Sequence, residues 1–326
     1  MSDQARQRGL RRRIVILAFD RAQLLDVAGP GDVFALAGTF DSILRYEVLA
    51  ISASGGPVEM SNGLSLMTRS IREIRLTRTD TLMVAGAEKP GLLQALADDA
   101  LGAWVRKAAG TVRRLASVCV GSFALAHWGL LDGRRATSHW SVVDLLQRRF
   151  PAVHVDRTAL FVQDGAIWTA GGVTTGIDMS LAMLEADCSR LLAGRVAAAL
   201  VMSARRIGNQ SQYSVQLRAQ TGRYAQLVDW ISANLHQPLH ISALAARMHE
   251  SERSFCRRFA AEVGEPPGRF IETVRLGAAR RALEGGAAAK IAARAGGFAS
   301  AEQLSRAFRR RLDLSPLEYQ RQHRSA

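Results

Sequence analysis

The chain has 326 residues, 48% of them hydrophobic, and 43 Lys and Arg against 29 Asp and Glu, a formal net charge of +14. That length allows two separate cores. A mean hydropathy of +0.01, with no stretch near the ~20 apolar residues of a membrane span, argues against an integral membrane protein. Three widely spaced cysteines, Cys119, Cys188 and Cys256, make neither a disulfide framework nor a zinc pattern, so the expectation is a cytoplasmic protein without metal or cofactor.

In chain order, residues 1–13 read as a basic, disordered tail containing Arg6, Arg8, Arg11, Arg12 and Arg13. From 14 to 203, short β-rich runs alternate with helical ones. Strands are expected at 14–19, 46–51, 81–84 and 115–118, and helices at 32–37, 92–108, 123–131 and 141–148. A further strand at 166–169 follows the turn pair Asp164-Gly165, and one long helix covers 176–199. Such alternation predicts an α/β domain, a flavodoxin-like parallel sheet with helices on both faces. Residues 204–223 are polar and read as a linker. Residues 224–326 read as an all-α domain. Its helices are 226–235, a long one at 269–283 closed by Gly285-Gly286, and a short last one opened by Ser315-Pro316.

That helical domain carries two helix-turn-helix patterns, one from Ile241 to Phe259 and one from Ile291 to Arg310. In each, a short Ala-rich helix meets a turn, and a serine, Ser251 or Ser300, is placed to cap the next helix. Phe255 and Phe259 stand at i, i+4, as do Leu304 and Phe308, so each pair can anchor one face to a core. Glu252, Arg253 and Arg257 lie on other faces of the first helix. Glu302, Arg306 and Arg310 form the outward row of the second, where Ser300 and Gln303 fit a capping box. One such helix is an ordinary amphipathic helix with solvated charges. Two with one layout indicate helices that enter DNA major grooves. The charge excess is not confined to this domain, which holds 16 Lys and Arg against 10 Asp and Glu from Ala225 onward. A connector of roughly 15 residues spans about 22 Å, which places the two readers near one DNA turn apart. Binding without sequence preference is the weaker alternative, because paired groove contacts specify a site.

Two segments of the first domain can carry chemistry. Val118-Cys119-Val120-Gly121-Ser122 has the layout of a nucleophile elbow, with a thiol at a helix N-terminus whose dipole is expected to lower its pKa. Leu25-Asp26-Val27-Ala28-Gly29-Pro30 reads as a loop at the carboxyl edge of the sheet, from which Asp26 can face Cys119. The plainer reading of Cys119 is a small buried residue on a tight turn.

These two segments, together with residues 80–86, 129–140 and 169–178, resemble the ThiJ/PfpI-like, glutamine-amidotransferase-like domain. The C-terminal third resembles the AraC/XylS family of regulators, and the combination is similar to its GlxA-type branch. The resemblance implies a one-component transcriptional regulator, an activator that engages RNA polymerase. Its first domain would bind a small-molecule effector and form a homodimer, and its second would bind double-stranded promoter DNA. The effector residues it implies are Asp26, Gly86, Cys119, Val120, His139 and Thr174, with the N–H groups of Gly86 and Val120 as an anion-binding notch. Hydrolytic relatives place His directly after the cysteine, where this chain has Val120. Some hydratases pair the cysteine with an aspartate, so a Cys-dependent hydrolase or hydratase is the rival reading. No catalytic residue is assigned.

Overall fold

Burial along the first strand shows how the layers are built. Ile14 and Ile16 belong to one buried cluster, Val15 and Leu17 to another, so the side-chain period of two puts apolar groups on both faces of the strand. The computed structural model describes residues 11–41, 45–202, 222–312 and 314–324, which fall into two units, Met1–Gln210 and Ser211–Ala326.

In the first unit the strands are β1 (Arg11–Leu17), β2 (Arg45–Ser52), β3 (Gly56–Glu59), β4 (Ser65–Ser70), β5 (Thr81–Val84), β6 (Arg114–Val118), β7 (Arg135–Ala136), β8 (His154–Val155), β9 (Phe161–Asp164) and β10 (Ile167–Ala170). Eight of them form one sheet in the order β3-β4-β2-β1-β5-β6-β10-β9. The pairs between β4 and β10 are parallel, and antiparallel hairpins close both edges. The helices are α1 (Leu24–Phe40), α2 (Lys89–Ala97), α3 (Asp99–Ala109), α4 (Gly121–His127), α5 (Val143–Arg149), α6 (Thr175–Asp187) and α7 (Arg190–Ala199). Helices α1, α6 and α7 cover one face, and α2 to α5 the other.

This is the expected doubly covered sheet, with corrections. Arg11, Arg12 and Arg13 are not tail but the start of β1, and residues 1–10 lie outside the described residues. The segment read as a loop at 25–30 is the first part of α1, where Val27, Val33, Phe34 and Ala37 are buried, so tertiary packing overrides its Gly and Pro content. The helix expected at 92–108 is two helices that meet at Asp98, whose carboxylate accepts from Leu101 N at 2.9 Å. The helix expected at 176–199 is also two, divided at Ser189, which accepts from Leu192 N at 3.2 Å. The β3–β4 hairpin was not foreseen.

At the amino edge of the sheet, Asp187 ends α6 with its side chain fully buried. Arg113 binds it through two nitrogens at 2.8 and 2.7 Å and Tyr46 donates at 2.8 Å. Arg12 and Arg114 stand at 2.9 and 2.8 Å. One carboxylate therefore ties α6 to the starts of β1, β2 and β6.

The second unit holds α8 (Ala225–Ala233), α9 (Ile241–Arg247), α10 (Glu252–Val263), α11 (Pro267–Glu284), α12 (Ala289–Ala295), α13 (Ala301–Leu312) and α14 (Pro316–Arg324). Tyr224, Phe255, Phe259, Phe270 and Val274 form its first core. Leu283, Phe298, Leu304, Phe308 and Tyr319 are buried further along. The proposed linker at 204–223 falls almost wholly outside the described residues.

Candidate ligand site and nucleic-acid interface

Strands β1, β5 and β6 are neighbours, so the segments after them meet at the carboxyl edge, where open α/β sheets bind ligands. Asp26, in the first turn of α1, is fully buried. Its Oδ2 accepts from Gly86 N at 2.9 Å, while Oδ1 has no hydrogen-bond partner among the described residues. Burial pushes its pKa up to about 7, against the pull of the Gly86 N–H. Gly86 is what lets the segments close together. A Cβ there would lie 2.8 Å from Asp26 Oδ2 and 3.0 Å from both Cys119 Cβ and Val120 N.

Cys119 takes a left-handed φ of +56°, a conformation that costs a non-glycine residue about 1–2 kcal/mol. Neighbouring bonds hold it there. Its N–H donates to Ala170 O at 3.0 Å, and its carbonyl accepts from Ser122 Oγ and Ser138 Oγ, each at 3.2 Å. The elbow geometry expected from the sequence is present, but the expected thiol acidity is not. Burial, with Asp26 adding to it, pushes the Cys119 thiol up to about 12, and the Val120 N–H only partly offsets this. A seven-residue helix at its back does not overcome both. Of the two N–H groups expected to form an anion-binding notch, that of Gly86 donates to Asp26.

Asp26, Gly86, Cys119 and Val120 are thus brought together. His139 bonds Ser141 Oγ through its Nδ1 at 2.7 Å, and burial lowers its pKa. It does border the loop after β10, since a Cβ on Gly172 would sit 3.5 Å from its ring. Thr174 is exposed at the start of α6. The residue that fixes this loop is Thr175, whose hydroxyl accepts from Gly172 N at 2.6 Å and donates to Gly172 O at 2.8 Å. Ser122, Ser138 and Thr175 were missed because their roles depend on segments far apart in sequence. A cavity of about 510 Å³ opens elsewhere in the unit, lined among others by Phe19, Asp20, Ser54, Glu59 and Gln94, and none of the four clustered residues lines it.

In the second unit both reader helices are anchored as expected. Phe255, Phe259, Leu304 and Phe308 are fully buried, while Glu252, Arg253, Arg257, Glu302, Gln303 and Arg306 are exposed. Ser251 caps α10 by accepting from Ser254 N at 3.3 Å. Ser300 caps α13 by accepting from Gln303 N at 3.2 Å, and the Gln303 side chain reaches back to Ala299 N at 2.7 Å, one residue beyond the usual capping box. In the first pattern Glu250 N donates to Ala245 O and in the second Phe298 N to Ala293 O, so both first helices close with the same six-residue bond and a left-handed residue, His249 or Gly297. Arg310 is exposed as well, and its guanidinium pairs with Glu272 of α11. Among the described residues no His, Cys, Asp and Glu group could hold a metal ion, and no helix is long and apolar enough to cross a membrane.

The model described as the DJ-1/PfpI family matches residues 12–186, and a helix-turn-helix domain model matches residues 244–322. HTH-type transcriptional regulator CdhR of Pseudomonas aeruginosa is 32% identical over 279 residues, 84% of this chain and 81% of that protein. Isonitrile hydratase of Pseudomonas putida is 35% identical over 173 residues, 53% of this chain and 71% of that protein. The structure of Drosophila melanogaster DJ-1beta is similar in fold, with a TM-score of 0.51 at 18% identity, covering 59% of this chain and 99% of that one.

Proposed function

We propose, for a chain that belongs to the DJ-1/PfpI family and is an HTH-type, DNA-binding transcriptional regulator, how its two units share the work. The first unit binds a small polar metabolite beside Asp26, Gly86, Cys119 and Val120, with His139 and Thr174 at the border, and joins two chains into a homodimer. The second unit reads promoter DNA with Glu252, Arg253 and Arg257 of α10 and Glu302, Gln303, Arg306 and Arg310 of α13. Regulation is by activation, through contact with RNA polymerase, in the cytoplasm. The linker at 204–223 separates the units.

The observation that carries the DNA reading is the pairing of two capped helices, each with a fully buried apolar pair on one side and exposed arginines on another. An isolated amphipathic helix needs neither the matched turn nor the repeat. The metabolite is held without turnover: burial keeps the thiol protonated, and the carboxyl beside it, Asp26, is itself buried and only partly ionised at neutral pH. The hydratase relative matches only 53% of this chain.

In vitro selection of duplex DNA with the full chain tests the reading. A defined site should emerge, and Arg306→Ala should weaken it with the fold intact, by about 1–3 kcal/mol for a bidentate base contact. Selection of no site, or an Arg306→Ala variant with unchanged affinity, contradicts it. Steady hydration of an isocyanide by the wild type, lost in Cys119→Ser, would favour the enzyme.

A further inference from the structure

The helix α11 links the two readers covalently. Its 18 residues span about 27 Å. Alone, such a rod leaves the subdomains at its ends free to twist. Two further contacts remove that freedom. In the turn before α13, Gly297 has a φ of +66° and lies so close to the end of the α8 segment that a Cβ would stand 2.0 Å from Leu235 O. Arg275 of α11 donates to the same carbonyl at 3.1 Å.

The second contact joins the far ends of the two reader helices. Arg311, in the last turn of α13, donates to Thr273 Oγ1 at 2.6 Å and to Glu265 Oε2 at 3.3 Å. Its Nε lies 3.7 Å from Glu272 Oε2. The Thr273 hydroxyl stands 3.0 Å from Glu265 Oε1. Glu265 comes two residues after the end of α10. Arg311 and Glu265 are 19% and 13% exposed, so this is not a solvated surface pair. The planar fork of arginine is what allows one side chain to engage a hydroxyl and two carboxylates.

We propose that Arg311 is a positioning residue for DNA recognition: held by Glu265 and Thr273, it fixes α13 relative to α10 and so sets the spacing between the two DNA elements that one chain reads. The proposal rests on the reading of both helices as groove readers, and Arg311 itself need not touch DNA. Adding one base pair between the elements moves the second by about 3.4 Å and about 34° around the duplex axis, since a turn is about 36 Å and 10.5 base pairs. A pair of readers braced at both contacts does not follow that change; a pair that keeps only the contact at Gly297 can twist about it to follow.

The test uses the full chain. A site is first selected from random duplex DNA with the wild type. Affinities are then measured for duplexes with the selected spacing and with one base pair added or removed between the two elements. The wild type should bind the altered spacings at least about tenfold more weakly, which corresponds to about 1.4 kcal/mol. Arg311→Met should bring that ratio to within about threefold while protection of each element persists. A uniform loss on all three duplexes with the ratio unchanged would mean a merely structural role and overturn the proposal, as would no change. If Arg311→Met does not fold by circular dichroism, the same ratio is read on Arg311→Lys, which keeps the charge but not the fork. A wild-type site with a single element also overturns the proposal while leaving DNA binding itself in place; selection of no site would instead defeat the functional reading.

Discussion

Asp26 is a carboxyl group with one hydrogen bond and one unpartnered oxygen inside the fold, and that gives it a signature in stability. Its pKa is about 7 when folded and ordinary, near 4, when unfolded. Between those values the folded chain keeps a proton that the unfolded chain has released, so stability falls as pH rises, by up to about 1.4 kcal/mol per pH unit. Below about pH 4 both states are protonated, and above about pH 7 both are ionised with the penalty fully present. Asp26→Asn should accept from the Gly86 N–H without this penalty. Urea unfolding at pH 5 and pH 8 should show a smaller pH dependence in the variant and greater stability at pH 8; equal pH dependence in the two proteins would contradict the burial argument. Cys119 should alkylate more slowly than an ordinary thiol at pH 7, by on the order of 10²–10³, because so little thiolate is present. Labelling at the rate of a free thiol, read by mass spectrometry, would count against a protonated cysteine. The Cys119 elbow was legible in the sequence, because a tight turn leaves a local mark in its small residues; Gly86 came only through the family resemblance, and Asp26 was read on a loop where the structure has the first turn of α1. The proton states of Asp26 and Cys119 were not legible, because desolvation comes from segments that the sequence does not place.

Single elements differ in how much of their cause is local. The reader helices were legible because capping serines and an i, i+4 apolar pair are defined within one helix. The second half of α1 was legible at 32–37, but its first turns were not, since Gly29, Pro30 and Gly31 argue against a helix until Val27 finds its core. Nor was the break at Asp98, where a capping bond to Leu101 interrupts an otherwise continuous helical pattern. The two turns give paired predictions. His249 occupies the left-handed position with φ +55°, so His249→Gly should stabilise the second unit by roughly 0.5–1 kcal/mol once the added chain entropy of glycine is offset. Gly297→Ala should destabilise it, because the new Cβ would press on the Leu235 carbonyl. Thermal unfolding reads both, and equal signs would contradict the assignment of one shared turn. Phe308→Ala, which empties a core position against Tyr319, should cost about 3–5 kcal/mol. A variant as stable as the wild type would mean that Phe308 does not anchor α13.

At the scale of the whole molecule, the fold class and the order of the two units were readable because strand–helix alternation and the helix-turn-helix repeat are patterns of the whole sequence. The inter-reader brace was not, because Arg311 and Glu265 are 46 positions apart and each looks like an ordinary surface charge. If the first unit joins two chains, residues 222–326 alone should sediment as a monomer and bind DNA more weakly, since tethering a second site raises avidity by about 10²–10⁴. A full chain that sediments as a monomer with and without DNA would contradict the proposed dimer. The central claim is that one chain reads DNA with both α10 and α13. Hydroxyl-radical footprinting of the full chain on its selected site, beside Arg306→Ala, tests it most directly. The account predicts two protected windows per chain on one face of the duplex, about one turn apart, with protection in one window weakened by the substitution; a single window per chain, or two windows both indifferent to Arg306, would contradict it.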